Sequence, residues 1–434
     1  MKKHLQIIIF VVFLIFSYSS FGKDNNGGQE VIKNILANKV IVLFKETEGL
    51  GIIAGSIFIK GGSIEDPKGK KGLTNLTFKM ALKGTKNYDF ISFNKLFENS
   101  GGYISASVSE EYSIIEFALR VEDLGEGLKR IKDMLLNPIF PEDKLEQEKQ
   151  NTIAQIIAKK EEGFSYAFDE LRKIIYKDTP YQYPVLGEVS DVKTISKKDI
   201  QKRWNELMES SRFVVSFVGD VSYSKVENLI KDTFGSLKNK KDYKFPVYNY
   251  EIGNVGCKTV KREGAQSTIL YAYNAPSVKD KEYFAMKVLN GILGSGFTSR
   301  LFQELREKRG LAYAVASFFP TRINMGRLFA YIGTAPQKTE ESVEGIKEVV
   351  NSISKGVSDE EIQIAKEKIV GHFLLDHQTR AKQSWYLGWF ETVGLGYKFD
   401  KLYVDYINKV NKNDILEAWK NYIPKGYACV IVKP

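Results

Sequence analysis

Residues 198–220, KDIQKRWNELMESSRFVVSFVGD, decide how this chain is organised, because their pattern returns at 413–434 as NDILEAWKNYIPKGYACVIVKP. In each copy an Asp-Ile pair (Asp199-Ile200, Asp414-Ile415) is followed four residues later by a tryptophan (Trp204, Trp419). A short helical stretch then leads into an apolar run of the length of a buried strand. Working outward, a long helix with an acidic start precedes each copy: PEDKLEQEKQNTIAQIIAKK at 141–160 and SDEEIQIAKEKIVGHFLL at 358–375. The copies lie about half a chain apart, and elements recurring in one order point to an internal duplication.

Each half mixes strands and helices. GIIAGSIFIKG (51–61) reads as a strand, and YISASVSEEYSIIEFALRVE (103–122) alternates and breaks at Ser109-Glu110-Glu111 as a hairpin does. From 122 to 176 the period turns helical, with Leu124, Leu128, Ile131 and Leu135 at three- or four-residue steps. The second half repeats the scheme with a strand at 267–274, helices at 280–293 and 298–308, hairpin strands within 311–334, and helices at 340–354 and 358–376. Strands flanked by several consecutive helices predict an α+β fold built as a tandem duplication of two similar α+β domains. The Lys-, Tyr- and Gly-rich stretch 236–256 has no sustained period and places the junction there. The expected organisation is a leader at 1–22, an N-terminal domain at 23–240, a linker at 241–255 and a C-terminal domain at 256–434.

Composition narrows the function. Of 434 residues 43% are hydrophobic and 27% charged, the balance of a globular protein. The net charge of +10 is spread along the chain, with no focused basic stripe, so nucleic acid is not an expected partner. Lys2 and Lys3, the apolar run Leu5–Phe16 and the small-x-small step Ser20-Phe21-Gly22 read as a secretory signal, too short for a relaxed membrane span. The mature chain is therefore expected to be periplasmic or secreted, with no stable membrane span once the signal is cleaved; retention of the signal as an anchor is the alternative. In an oxidising compartment Cys257 and Cys429 are permitted to form a disulfide; two buried thiols on unrelated strands fit equally well. His372 and His377, the two histidines outside the leader, are five residues apart on an expected helix and point about 140° from each other. They read as surface or packing residues. The run Lys68-Gly69-Lys70-Lys71-Gly72 reads as a solvated loop, and Trp385, Trp389 and Phe390 as a partner-facing surface or, as is more common for such spacing, a core stripe.

Five stretches in order, GLTNLTFKMALKGT (72–85), GGYISASVSEEYS (101–113), NPIF (137–140), YQYPVLG (181–187) and GSGFTSRLFQELREKRGLAYAV (294–315), resemble the pitrilysin/insulinase family of zinc peptidases, which includes the mitochondrial processing peptidases. The resemblance covers essentially the whole chain after the leader. It implies a tandem pair of α+β domains forming half of a clamshell that closes around a peptide, within one long chain or between two chains of this length.

The family's chemistry rests on H-x-x-E-H on a helix, with a further glutamate from a later helix as third zinc ligand. The resemblance lays the first histidine on Asn75, the glutamate on Phe78, the second histidine on Lys79 and the third ligand on Gln155. Two neutral amides, a benzyl ring and an ammonium offer neither a metal-binding set nor a general base. No zinc, and no catalytic residue acting alone, is expected in this chain. The family's other active-site pair, an arginine and a tyrosine seven residues apart that hold the substrate carbonyl, is matched by Arg306 and Tyr313. A guanidinium and a phenol both donate to a peptide carbonyl or its oxyanion. The glycine loop with Gly294 and Gly296, which in the family lines the chamber, joins them as an expected substrate-binding element; as a helix start it would be capped by Thr298 or Ser299. The implied function is a non-catalytic subunit of a heterodimeric metallopeptidase whose partner carries zinc and whose substrates are peptides. The alternative is an extracytoplasmic peptide-binding or assembly protein with no protease partner.

Overall fold

A computed structural model describes residues 30–239 and 241–434. The leader at 1–22 lies outside the described residues. Eleven strands form two sheets among the described residues. The first contains β1 (Ile32–Ile35), β2 (Ile41–Glu46), β3 (Ile52–Lys60), β4 (Tyr103–Val108), β5 (Tyr112–Arg120) and β6 (Phe213–Gly219), in the order β1-β2-β6-β3-β5-β4. The second contains β7 (Asn254–Lys261), β8 (Ser267–Ala275), β9 (Ala312–Phe318), β10 (Gly326–Thr334) and β11 (Tyr427–Lys433), in the order β7-β11-β8-β10-β9. Without β1 the two orders are the same, and in each sheet the one parallel pair, β2 with β6 and β7 with β11, joins the first strand to the last. The duplication is thus a duplication of topology.

Helices of the first half are α1 (Leu73–Ala81), α2 (Phe90–Asn99), α3 (Leu124–Leu136), α4 (Glu142–Glu161), α5 (Gly163–Ile175), α6 (Val189–Thr194), α7 (Lys197–Leu207) and α8 (Tyr223–Phe234). Those of the second are α9 (Tyr283–Gly294), α10 (Thr339–Ser352), α11 (Asp359–Asp376), α12 (Arg380–Thr392), α13 (Phe399–Lys409) and α14 (Lys412–Tyr422).

The repeated Asp-Ile…Trp motif has one physical meaning in both halves. Asp199 and Asp414 are the third helical residues of capping boxes opened by Ser196 and Asn411, so they fix where α7 and α14 begin. Ile200 and Ile415 are fully buried. The Trp204 indole donates to the Leu135 carbonyl at 3.1 Å, and the Trp419 indole donates to the Val350 carbonyl at 3.1 Å. Each tryptophan therefore ties the helix that precedes the last strand of its half, α7 or α14, to the carboxyl end of the helix that follows the hairpin, α3 or α10.

Alternate residues of the central strands bury both faces of each sheet. On β3 and β6, Ile53, Ile57, Phe213, Val215 and Phe217 face the helices of their own half. Phe58, Val214 and Val218 face the other way, into a core shared with Leu387 and Phe390 of α12. Conversely, Leu270 and Ala272 of β8 and Val430 of β11 meet Ala167, Leu171 and Ile175 of α5. Each half lends one helix to roof the other half's sheet. The contact with α12 is close: Ser216 Oγ donates to the Ser384 carbonyl at 2.6 Å, and Ser56 and Ser384 hydroxyls lie 2.8 Å apart. A Cβ built on Gly388 would come within 2.6 Å of Ser216 Oγ and 2.7 Å of the Phe58 ring.

Of the two alternatives open for the cysteines the disulfide holds: Cys257 and Cys429 face each other in register on β7 and β11, Cα atoms 4.2 Å apart. One expectation needs correction. The Lys68–Gly72 run is not simply solvated. Lys71 is buried with its ammonium on the Asp66 carbonyl, and Lys70 pairs with Asp199 at 2.9 Å, because this loop has to close over the start of α1. The aromatic residues of α12 are core: Trp389 and Phe390 are buried, and Trp385 stacks on Trp389 and meets Phe58 edge-on.

Candidate functional site

Helix α1 carries the first three residues of the degenerate motif. Its amino end is held by Asp66, whose carboxylate accepts from the Gly72 and Thr74 amides at 3.0 Å each and from the Thr74 hydroxyl at 2.5 Å. Burial pushes this carboxyl up to about 6, against the pull of those hydrogen bonds and of Arg203. Pinned in this way, α1 turns its residues toward two different neighbours. Phe78, only 1% exposed, meets the Trp204 ring edge-on with centroids 5.5 Å apart, so it belongs to the core between α1 and α7. Lys79 turns toward α4, where its ammonium donates to Thr152 Oγ1 at 3.1 Å and to Gln155 Oε1 at 3.3 Å.

The structure therefore brings the second-histidine and third-ligand positions, Lys79 and Gln155, into contact, as the family pattern requires of a metal site. Their chemistry does not fit a zinc ion. The ammonium is already bound to the amide oxygen that would have to turn to a metal, and it repels a dication at that distance. Phe78 is fixed in the core and has no proton to exchange. The Asn75 amide nitrogen, one turn before Lys79 on the same side of α1, is buried with no hydrogen-bond partner among the described residues. Burial lowers the Lys79 pKa; Glu148 opposes that shift and Lys83 adds to it. Glu148 itself is engaged by Lys83 at 2.8 Å. Among the described residues no group of three His, Cys, Asp or Glu side chains is placed to hold a metal ion. His377 is tied to the Phe373 carbonyl at 2.7 Å and to Asp400 at 2.8 Å, while His372 is exposed.

Arg306 and Tyr313 sit on the second sheet's outer margin. Arg306 lies in a π-helical turn, Phe302–Lys308, its guanidinium 5.0 Å from the Phe302 ring centre, and it forms no ion pair among the described residues. Tyr313 is on β9, the edge strand, with 64% of its surface exposed. Both side chains are thus available, in contrast to neighbouring Arg300, which is locked onto Glu361 and the Gly356 carbonyl. Gly294 and Gly296 have a local structural reason. Gly294 ends α9 against β9, where a Cβ would lie 2.2 Å from the Ser317 amide nitrogen, and Gly296 has φ +90°. The Ser299 hydroxyl donates to the Gly296 carbonyl instead of capping a helix start, a correction to the sequence expectation. No hydrogen bond or ion pair joins Arg306 or Tyr313 to the α1–α4 residues among the described residues.

Sequence reading missed a buried polar junction between the halves. The hairpin tip between β4 and β5 inserts Glu110 and Glu111 beside the segment 322–324. Glu110 pairs with Arg322 at 2.9 Å and with Arg172 at 3.2 Å. Glu111 accepts from the Ile323 amide at 2.8 Å, the Asn324 amide at 3.1 Å and the Tyr181 hydroxyl at 2.5 Å. Burial would raise the Glu110 pKa, but Arg322 and Arg172 outweigh it and hold it at about 2. The signal was two adjacent acidic residues in a turn flanked by apolar strands, which a solvent-facing turn explains equally well.

Comparisons with known proteins agree with this architecture. A family model described as insulinase (peptidase family M16) matches residues 42–189, and one described as peptidase M16 inactive domain matches residues 194–369. An uncharacterized zinc protease of Rickettsia felis is 24% identical over 406 residues, covering 92% of this chain and 96% of that protein. A Helicobacter pylori protein named non-peptidase homolog YmxG is 25% identical over 424 residues, covering 96% of this chain and 94% of its own. A crystal structure from Pseudomonas fluorescens, described as a peptidase M16 inactive domain, shares the fold with a TM-score of 0.87 at 21% identity, covering 93% of this chain and 98% of that one.

Proposed function

Because the chain belongs to the insulinase (M16) family of peptidases, we propose that it is a non-catalytic subunit of a two-chain peptidase, holding peptide for a zinc-bearing partner. The observation that carries this reading is the unequal state of its two inherited sites. The metal position is filled by an ammonium bonded to Gln155. Arg306 and Tyr313, by contrast, remain exposed and unpaired with any acid. Arg306, Tyr313 and the glycine loop would hold the substrate backbone; metal, base and ligands would come from the partner. The chain would work outside the cytoplasm, a placement supported by the leader-like residues 1–22 and by the Cys257–Cys429 disulfide.

The test is reconstitution with a homologous chain that carries an intact H-x-x-E-H motif, assayed for peptide cleavage. Arg306→Ala and Tyr313→Phe in the present chain should each lower kcat/KM of the pair by about tenfold or more, in line with loss of one oxyanion or carbonyl donor. Unchanged cleavage in both variants sinks the assigned role. Peptide binding without any recoverable protease partner would favour the second reading, a peptide-holding protein of the same compartment; the open edge of β4 supports it as a surface for an added strand.

A further inference from the structure

An open cleft of about 420 Å³ lies where α1 and α4 meet β4, lined by Lys79, Lys83, Phe90, Ala106, Glu148 and Gln155 among others. Its charge is unbalanced. Two ammonium groups share it with one carboxylate, and that carboxylate is taken by Lys83 at 2.8 Å. The partners of Lys79 are neutral oxygens at 3.1 and 3.3 Å, longer than charge-assisted bonds to an anion, which run about 2.7–2.9 Å. An ammonium has three N–H donors, and these contacts use two. One turn earlier on α1, the buried Asn75 amide nitrogen lacks an acceptor. A half-buried cation with a spare donor calls for an anionic acceptor. The cleft also adjoins β4, the edge strand of its sheet, whose outer backbone groups are unpaired and suit an extended peptide.

We propose that the abandoned metal position is a carboxylate pocket, in which Lys79 receives the terminal carboxylate of a peptide laid along β4. This rests on the peptide-holding reading above and adds to it the end of the chain that is recognised. The ammonium supplies, as a fixed cation with flexible reach, an attraction for a chain that ends there. A peptide running on past Lys79 would instead place neutral backbone against it.

The experiment titrates the purified chain against fluorescein-labelled mixed-sequence decapeptides in free-acid form, in carboxamide form, and in carboxamide form with one internal glutamate. Anisotropy should show the free acids binding about tenfold more tightly than the carboxamides, the scale of one charge-assisted hydrogen bond. The ratio should fall toward one in Lys79→Met. It should fall likewise in Asn75→Asp, which places a carboxylate one helical turn before Lys79 on the same side of α1 and keeps side-chain volume should the first variant fold poorly. Equal affinity for acid and carboxamide in the unsubstituted chain overturns the pocket while leaving peptide holding intact. A tenfold ratio that persists in both folded variants also overturns it. Internal-glutamate carboxamides binding as tightly as free acids overturn the terminal assignment. Failure of every peptide to bind overturns the peptide-holding reading together with this one.

Discussion

At the scale of single residues, the four positions of the lost zinc motif have taken on separate duties. Phe78 is the clearest case. Its ring fills core space against Trp204, so it is a packing residue and more than a missing base. Phe78→Glu should therefore destabilise the chain by at least about 3 kcal/mol in urea unfolding, from lost packing plus a carboxylate with no partner in the core. Phe78→Leu should cost clearly less; equal losses would contradict the packing role. The identity of the four positions was legible in the sequence because one string, GLTNLTFKM, carries three of them in register. That Lys79 bonds to Gln155 while Phe78 turns to α7 was not, because it depends on how α1 is rolled between two helices distant in sequence.

At the scale of elements, the repeated Asp-Ile…Trp string announced the duplication, and its legibility has a physical basis. A capping-box aspartate, a buried isoleucine and an indole donor are each tied to a fixed helical position, so the spacing survives where other residues drift. The crossing of α5 and α12 to the opposite sheets left no such trace. A helical period reports that one face is apolar and says nothing about whose strands it covers. Gly388 marks where α12 comes closest to β3 and β6. Gly388→Ala should lower stability by about 1–3 kcal/mol through overpacking against Ser216 and Phe58, although alanine favours a helix. A denaturation midpoint that rises instead would show that the helix has room to withdraw.

At the scale of the whole molecule, the Glu110–Glu111 hairpin tip joins the halves through buried charge. Glu110 has its folded pKa held at about 2, below its ordinary value of 4.5, so its stabilisation is fully present above about pH 4.5 and is lost as pH falls toward 2. Asp66, raised to about 6, acts in the opposite sense, favouring the fold as pH drops from 6 toward 4. A comparison of Glu110→Gln with the parent chain isolates the first effect. The Tm gap should be wide at pH 7, where two arginines lose their buried partner at a cost of about 3–5 kcal/mol, and should narrow by pH 3. A gap independent of pH would mean that Glu110 contributes shape and not charge. The reciprocal roofing by α5 and α12 carries one more consequence. A chain cut at the segment between the sheets would yield two pieces that each leave a broad oily surface bare, so neither piece is expected to stay folded and dispersed without the other.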